Sequence, residues 1–285
     1  MDITELISES SEVTNLSPEN SDLKKGANVH LLFHRETGIL LTRKNVAICN
    51  WSQQTNRMNL RFPSIIQLYH IEKIDNELDF FQEFFPYGDL TKFEEYNYIG
   101  ENIIAQFFYQ CARGLQYLHN QGYIHRDIKP PNIFIDKNKN ASLEDLENST
   151  NDPDSQSAYG NGTYAAPEIY KEGQNTKKSD IYSIGATFEE YILKIQGDDD
   201  FKNDLLDIVS QTKAEEPDNR ISADDLVSQL EELLKKNEMD SIINEFESRI
   251  EPCKNSYTFY RLDDIDGVEY EDNKYIEEIV NLVKN

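Results

Sequence analysis

At 285 residues the chain is long enough for one large domain or for two lobes, each with a core of its own. Its formal net charge of −25 repels nucleic-acid phosphates and anionic membrane surfaces, which argues against both as partners. Hydrophobic residues make up 38%, with 14 Phe and 16 Tyr, so the chain is globular rather than disordered. Cys49, Cys111 and Cys253 are scattered and form no CxxC pair. That fits a reducing compartment and supplies no disulfide or metal framework. The opening MDITELISESSEV is acidic and lacks the cationic and apolar regions of a signal peptide. No apolar run approaches the ~18 residues of a membrane span. The expected location is intracellular, in the cytoplasm.

In chain order, residues 1–22 are rich in Ser, Glu, Asn and Asp and are expected to form a mobile acidic arm. VHLLFHRETGILL, from Val29 to Leu41, predicts a β-hairpin with Gly38 at its turn. IIQLYHIEKI and ELDFFQEFF predict two more strands, and the text between leaves room for only a short helix. After Pro86 the period changes. Ile104, Phe107, Phe108, Cys111, Leu115 and Leu118 recur at helical spacing, and Gly122 closes that helix. The loop IHRDIKPPNIFID follows, ending in a short strand, then a turn and the strand ASL. Asn148 to Gly162 is polar and reads as a long surface loop. SDIYSIGATFEEYILKI predicts a second buried helix, and DFKNDLLDIVSQT and SADDLVSQLEELLKK predict amphipathic ones, with Ser222 as N-cap of the last. Strands first and helices later predict an α+β architecture of two unlike lobes joined near Pro86. Residues 237–285 read as an acidic helical tail, expected to pack on the larger lobe.

The loop gathers residues suited to one chemistry. Asp127 can accept a proton from a hydroxyl group. Lys129 can neutralise charge on a phosphoryl group, and Asn132 offers the hard oxygen that suits Mg²⁺. Asp145 stands eighteen positions past Asp127, and the intervening hairpin is expected to fold it back over the loop as a second hard oxygen.

These features resemble the eukaryotic protein kinases. His125-Arg126-Asp127 with Lys129 and Asn132 resembles HRDxKxxN, and Lys129 resembles the serine/threonine branch. Gly162-Thr163 with Ala166-Pro167-Glu168 resembles the end of an activation segment. The run Ser179 to Gly185 is similar to the buried DxxSxG helix, and Arg220 matches the arginine that pairs with Glu168. Tyr87 to Leu90 follows a strand ending at Glu83, as a hinge does. The resemblance implies a bilobal protein-kinase-like fold over residues 23–236, with a small β-rich lobe at 23–86 and a mainly helical lobe at 87–236. It implies ATP between the lobes, held by Gly26, by Lys44 and by the backbone from Glu83 to Phe85, with Gln82 at the gatekeeper place. Asn132 and Asp145 would hold Mg²⁺, and Asp127 and Lys129 would serve catalysis on a protein substrate.

The small lobe departs from the pattern. Only Gly26 remains where a glycine-rich loop would cover phosphates, with Lys24 and Lys25 beside it. Asn45 to Ile71 contains no Asp or Glu to face Lys44; Gln53 and Gln54 are neutral substitutes. Asp145-Leu146-Glu147 stands where DFG is expected, which makes Glu147 a candidate to reach Lys44. Only a few residues join the buried helix to DFKNDLLDIV, where the family has a further helix. Two readings stand: a serine/threonine kinase, slow or activated by a protein partner, and a pseudokinase that binds or scaffolds.

Overall fold

The computed structural model describes residues 13–15, 29–35, 37–47, 57–75, 77–151, 162–173, 175–196, 199–257 and 259–261. The small lobe is an antiparallel sheet. Its strands are β1 (Val13–Asn15), β2 (Val29–His34), β3 (Ile39–Ala47), β4 (Leu68–Ile74) and β5 (Glu77–Gln82), in the order β1-β2-β3-β5-β4. Gly38, at φ 70°, makes the predicted β2–β3 turn, a conformation that glycine adopts without a Cβ clash. β3 is central and pairs Lys44 with Val29 on one side and with Phe80 on the other. Side chains alternate along it, so Thr42 and Lys44 share one face while Arg43 points to the other and approaches Asp79 at 3.9 Å.

Two strands lie where none was expected. Within the stretch read as a mobile arm, Val13–Asn15 pairs antiparallel with Leu32 to His34. β2 would otherwise present an open row of backbone donors and acceptors there. Within the tail read as helical, β8 (Tyr260–Arg261) pairs with Ile39 and Leu40 of β3. It fills the lane that β5 vacates when the chain leaves the sheet after Gln82.

The larger lobe is helical. α1 (Leu90–Tyr96) is N-capped by Asp89, whose carboxylate accepts the N–H groups of Thr91 and Lys92. α2 (Glu101–Asn120) is the buried helix that the periodicity predicted, with Phe107, Phe108, Cys111 and Leu115 all inaccessible to solvent. A short hairpin, β6 (Ile133–Ile135) and β7 (Ala141–Leu143), follows the loop. Beyond it come α3 (Pro167–Glu172), α4 (Lys177–Lys194), α5 (Asp199–Thr212), α6 (Ala223–Lys236) and α7 (Asp240–Asn255). Ser222 caps α6 as predicted, within a capping box with Asp225. In α4, a Cβ on Gly185 would lie 2.9 Å from Thr212 Cβ, so glycine lets α4 and α5 touch. The link between α4 and α5 is as short as the sequence implied. Among the described residues no helix is long and apolar enough to cross a membrane.

The tail joins both lobes. Phe246 of α7 is fully buried, its ring 5.7 Å from Tyr109 of α2 and 5.6 Å from Phe62. Beyond α7, Tyr257 and Phe259 pack on Tyr69 beside Leu32, Ile39, Leu41 and Phe81 of the sheet. The Arg61 guanidinium lies 4.0 Å from the centre of the Tyr257 ring.

Candidate active site

The loop carrying Asp127 is fixed from beneath. Asp180, 1% exposed, lies in the first turn of α4. Its carboxylate accepts the backbone N–H of His125 and of Arg126, each at 2.8 Å, and lies 3.0 Å from His119 Nε2. Arg126 takes the left-handed region at φ 77°, which turns the chain sharply ahead of Asp127. His125 is fully buried, and burial lowers its pKa against the pull of Asp180. Its neutral Nδ1 accepts the Asp127 N–H at 3.3 Å.

Above this support, three residues of the sequence motif meet. Lys129 Nζ lies 2.8 Å from Asp127 Oδ2. Asn132 Nδ2 donates to the Asp127 carbonyl at 2.7 Å and to Asp127 Oδ2 at 3.0 Å. The β6–β7 hairpin then returns the chain, and the Glu144 N–H donates to the Asn132 carbonyl at 2.9 Å. Asp145 therefore follows directly on a residue bonded to Asn132, as the hairpin reading required. Asp145 sits at φ 63°, in the left-handed region.

Lys44 reaches this segment from the small lobe. Its Nζ lies 2.9 Å from Asp145 Oδ1, 3.1 Å from Glu147 Oε2 and 3.2 Å from Glu144 Oε1. Glu147 also faces Arg57 at 4.0 Å. Burial pushes the Glu147 carboxyl up to about 8, and a hydrogen bond with Asp145 and the Glu144 charge act the same way. Burial resists ionisation of Asp145, but the bond from Glu147 and the Lys44 ammonium together hold it well below the usual carboxylate range. Burial also works against the Lys44 charge; Glu144, Glu147 and Asp145 outweigh it and keep the amine protonated.

A cleft of about 90 Å³ opens beside Lys44, lined among others by Val29, Thr42, Gln82, Phe85, Phe134 and Glu144. Gln82 Nε2 donates to Glu144 at 3.1 Å. Along the hinge, the Glu83 N–H is taken by the Gln67 carbonyl at 3.0 Å. Among the described residues no hydrogen bond uses the Glu83 carbonyl or the Phe85 N–H. Gly26, Gln53 and Gln54 lie outside the described residues.

The Glu83 side chain turns away from this cleft, into a second cavity of about 200 Å³ lined also by Gln67, Asp136, Arg249 and Cys253. Burial, with repulsion from Asp136, raises its pKa from 4.5 to about 8, against the Gln67 N–H and Arg249. Folding then takes up a proton between those two values, so stability falls as pH rises from about 4.5 to about 8. Replacing Glu83 by Gln removes that dependence. The variant is expected to gain about 1–3 kcal/mol at pH 8, the range for an under-compensated buried polar group, and nothing at pH 4. Thermal unfolding of both proteins at the two pH values checks this, and an equal Tm at pH 8 counts against it.

Sequence reasoning singled out Asp127, Lys129, Asn132, Asp145 and Lys44; the structure groups the first three around Asp127 Oδ2, pairs Lys44 with Asp145, and links the two groups through the Glu144 N–H on the Asn132 carbonyl. It missed Glu144, Phe134 and Arg57. The dense acidic run around Asp145 was the available signal for Glu144. Arg57 and Phe134 carry no signal at sequence level, because their partners are remote in the chain.

Comparison with known proteins agrees with this geometry. The protein kinase domain family matches residues 42–240. The mitogen-activated protein kinase kinase kinase YODA of Arabidopsis thaliana is 30% identical over 179 residues, 57% of this chain and 20% of that protein. Cell division control protein 7 of Schizosaccharomyces pombe is 34% identical over 137 residues, 47% of this chain and 13% of that protein. Serine/threonine-protein kinase kin-29 of Caenorhabditis elegans is 34% identical over 140 residues, 47% of this chain and 17% of that protein. The chain thus spans a fifth or less of each of these relatives. The family match begins inside the strand that carries Lys44, runs through the loop of Asp127 and ends past Arg220, and on that extent the chain belongs to the eukaryotic protein kinase superfamily.

Proposed function

We propose that the chain is a serine/threonine protein kinase, slow or activated by a protein partner, that moves the γ-phosphoryl group of ATP to a protein hydroxyl. The observation that carries this reading is the grouping of Lys129 and Asn132 on Asp127, tied through the Asn132–Glu144 backbone bond to the turn where Lys44 meets Asp145. A chain serving only as a scaffold has no physical need of that set.

Adenine lies against the hinge, where the Glu83 carbonyl and the Phe85 N–H offer an acceptor and a donor. Phe134 lines the same cleft. Two hard oxygens suit Mg²⁺ shared with a triphosphate. Asn132 spends its Nδ2 on Asp127, and its Oδ1 takes no hydrogen bond among the described residues; the Asp145 carboxylate is ionised. Asn132 and Asp145 would hold that ion, which neutralises phosphate charge when bound. Asp127 orients the acceptor hydroxyl and takes its proton as the oxygen bonds to the γ-phosphorus. The bond from that phosphorus to the bridging oxygen breaks and ADP leaves. Lys129 offsets charge on the moving group, so catalysis is positioning and charge neutralisation.

One observation favours the second reading, a kinase-shaped binding protein: all three donors of the Lys44 ammonium are occupied by carboxyl oxygens. Two measurements separate the readings. The kinase reading expects ATP to raise the unfolding temperature only when Mg²⁺ is present. It also expects phosphate on the chain or on a generic serine/threonine substrate by intact mass. A metal-independent shift without transfer favours the binding protein.

A further inference from the structure

We infer that Glu147 is the positioning residue that holds Lys44 for the triphosphate, so that one short segment carries both the lysine's anchor and a cation ligand. The inference rests on the kinase reading and deepens it.

The carboxyl groups around Lys44 are not equivalent. Asp145 is the most exposed of the three, at 23%. Its oxygen is of the type that a divalent cation draws on. Glu144 divides one oxygen, Oε1, between Lys44 and Gln82. Glu147 is 5% exposed and lies between two cations, with Oε2 on Lys44 and Oε1 facing Arg57. Arg57 is itself 3% exposed and stacks 5.4 Å from the centre of the Phe80 ring. Phe80 is the residue paired with Lys44 across β3 and β5. Glu147 is therefore clamped from both sides by groups seated on the same strand pair.

The consequence for Lys44 follows from counting donors. An ammonium has three N–H bonds, and each now meets a carboxyl oxygen. When Asp145 turns to a cation, one donor is released toward phosphate while Glu147 and Glu144 keep the amine in place. No acidic residue occurs from Asn45 to Ile71, so the segment after β3 offers no carboxylate for this task. The orientation of Lys44 is then set by the same turn that sets Asp145.

A double-mutant cycle on the full chain tests this. Lys44→Ala, Glu147→Ala, the double variant and Glu147→Asp are compared in kcat, in KM for ATP and in ATP affinity by calorimetry. Glu147→Ala is expected to lose about 10²-fold to 10³-fold, chiefly in kcat, as removal of one preorganising contact does. The double variant is expected to be no worse than Lys44→Ala alone, because Glu147 acts through the lysine. Glu147→Asp is expected to recover part of the loss. A merely structural Glu147 would lower the unfolding temperature and leave kcat per folded molecule unchanged. Wild-type kcat in Glu147→Ala, or losses that add in the double variant, overturn the inference. A wild-type chain that transfers no phosphate sinks the kinase reading alone, and the cycle is then read in ATP affinity by the same criterion. A chain that binds no ATP overturns both.

Discussion

Asp127→Asn is expected to lower phosphoryl transfer by about 10²-fold to 10⁴-fold, the usual worth of a positioned general base, and to leave ATP affinity within about twofold. The carboxylate at 127 is the junction of the site. Its Oδ2 accepts Lys129 at 2.8 Å and Asn132 at 3.0 Å. An amide keeps the shape and one acceptor but loses the charge that draws a proton from the incoming hydroxyl. Nothing on the adenine side changes, because Asp127 does not line the cleft below the hinge. The loop itself stays in place, since Asp180 grips it through the N–H groups of residues 125 and 126 rather than through this side chain. Intact-mass assay of phosphate incorporation, beside an ATP titration of each protein, separates the two effects. Equal transfer by the variant would remove Asp127 from the mechanism. Equal loss of ATP binding would make its role structural.

The largest stability effect is expected at Arg220. Its side chain is fully buried, and its guanidinium uses all its donors. Two go to Glu168, at 2.6 and 2.8 Å. The others go to the carbonyls of Ala214, Lys178 and Glu215. The Tyr182 ring lies 5.0 Å from its carbon. Truncation to Ala leaves the buried Glu168 carboxylate without its charged partner. Breaking a buried pair in this way costs about 3–5 kcal/mol. Arg220→Lys is expected to recover only part of it, because an ammonium cannot reproduce the fork. Glu168→Gln, which keeps an acceptor and removes the charge to be buried, is expected to cost less than Arg220→Ala. Urea midpoints of the three variants check the order. A midpoint for Arg220→Ala equal to wild type would mean that the pair contributes nothing to the larger lobe.

The legible part of this molecule was local in sequence. The hairpin at Gly38, the helix around Cys111, the cap at Ser222 and the loop of Asp127 are each written within a dozen residues. Periodicity, turn chemistry and motif spacing read such stretches directly. The bilobal plan followed from their order. Glu147 was readable as a candidate partner for Lys44 because the motif around it broke in a charged way. Illegible features depend on residues far apart in the chain. Nothing in Arg57 foretells that it meets Glu147, and nothing in Gln67 foretells that it binds the hinge. The strand at Val13 lies in text whose composition argues against order; an open sheet edge overrides that preference.

The strand at Tyr260–Arg261 has a kinetic consequence. Ile39 and Arg261 are register partners separated by 222 positions (261 minus 39). A chain emerging from the ribosome therefore completes its first sheet only after every described helix has been made. Closing so long a loop is entropically slow. Until then Ile39, Leu41 and Tyr69 lack their cover from Tyr257 and Phe259. The half-made protein thus exposes an adhesive apolar face during synthesis, a period in which a chaperone has something to hold.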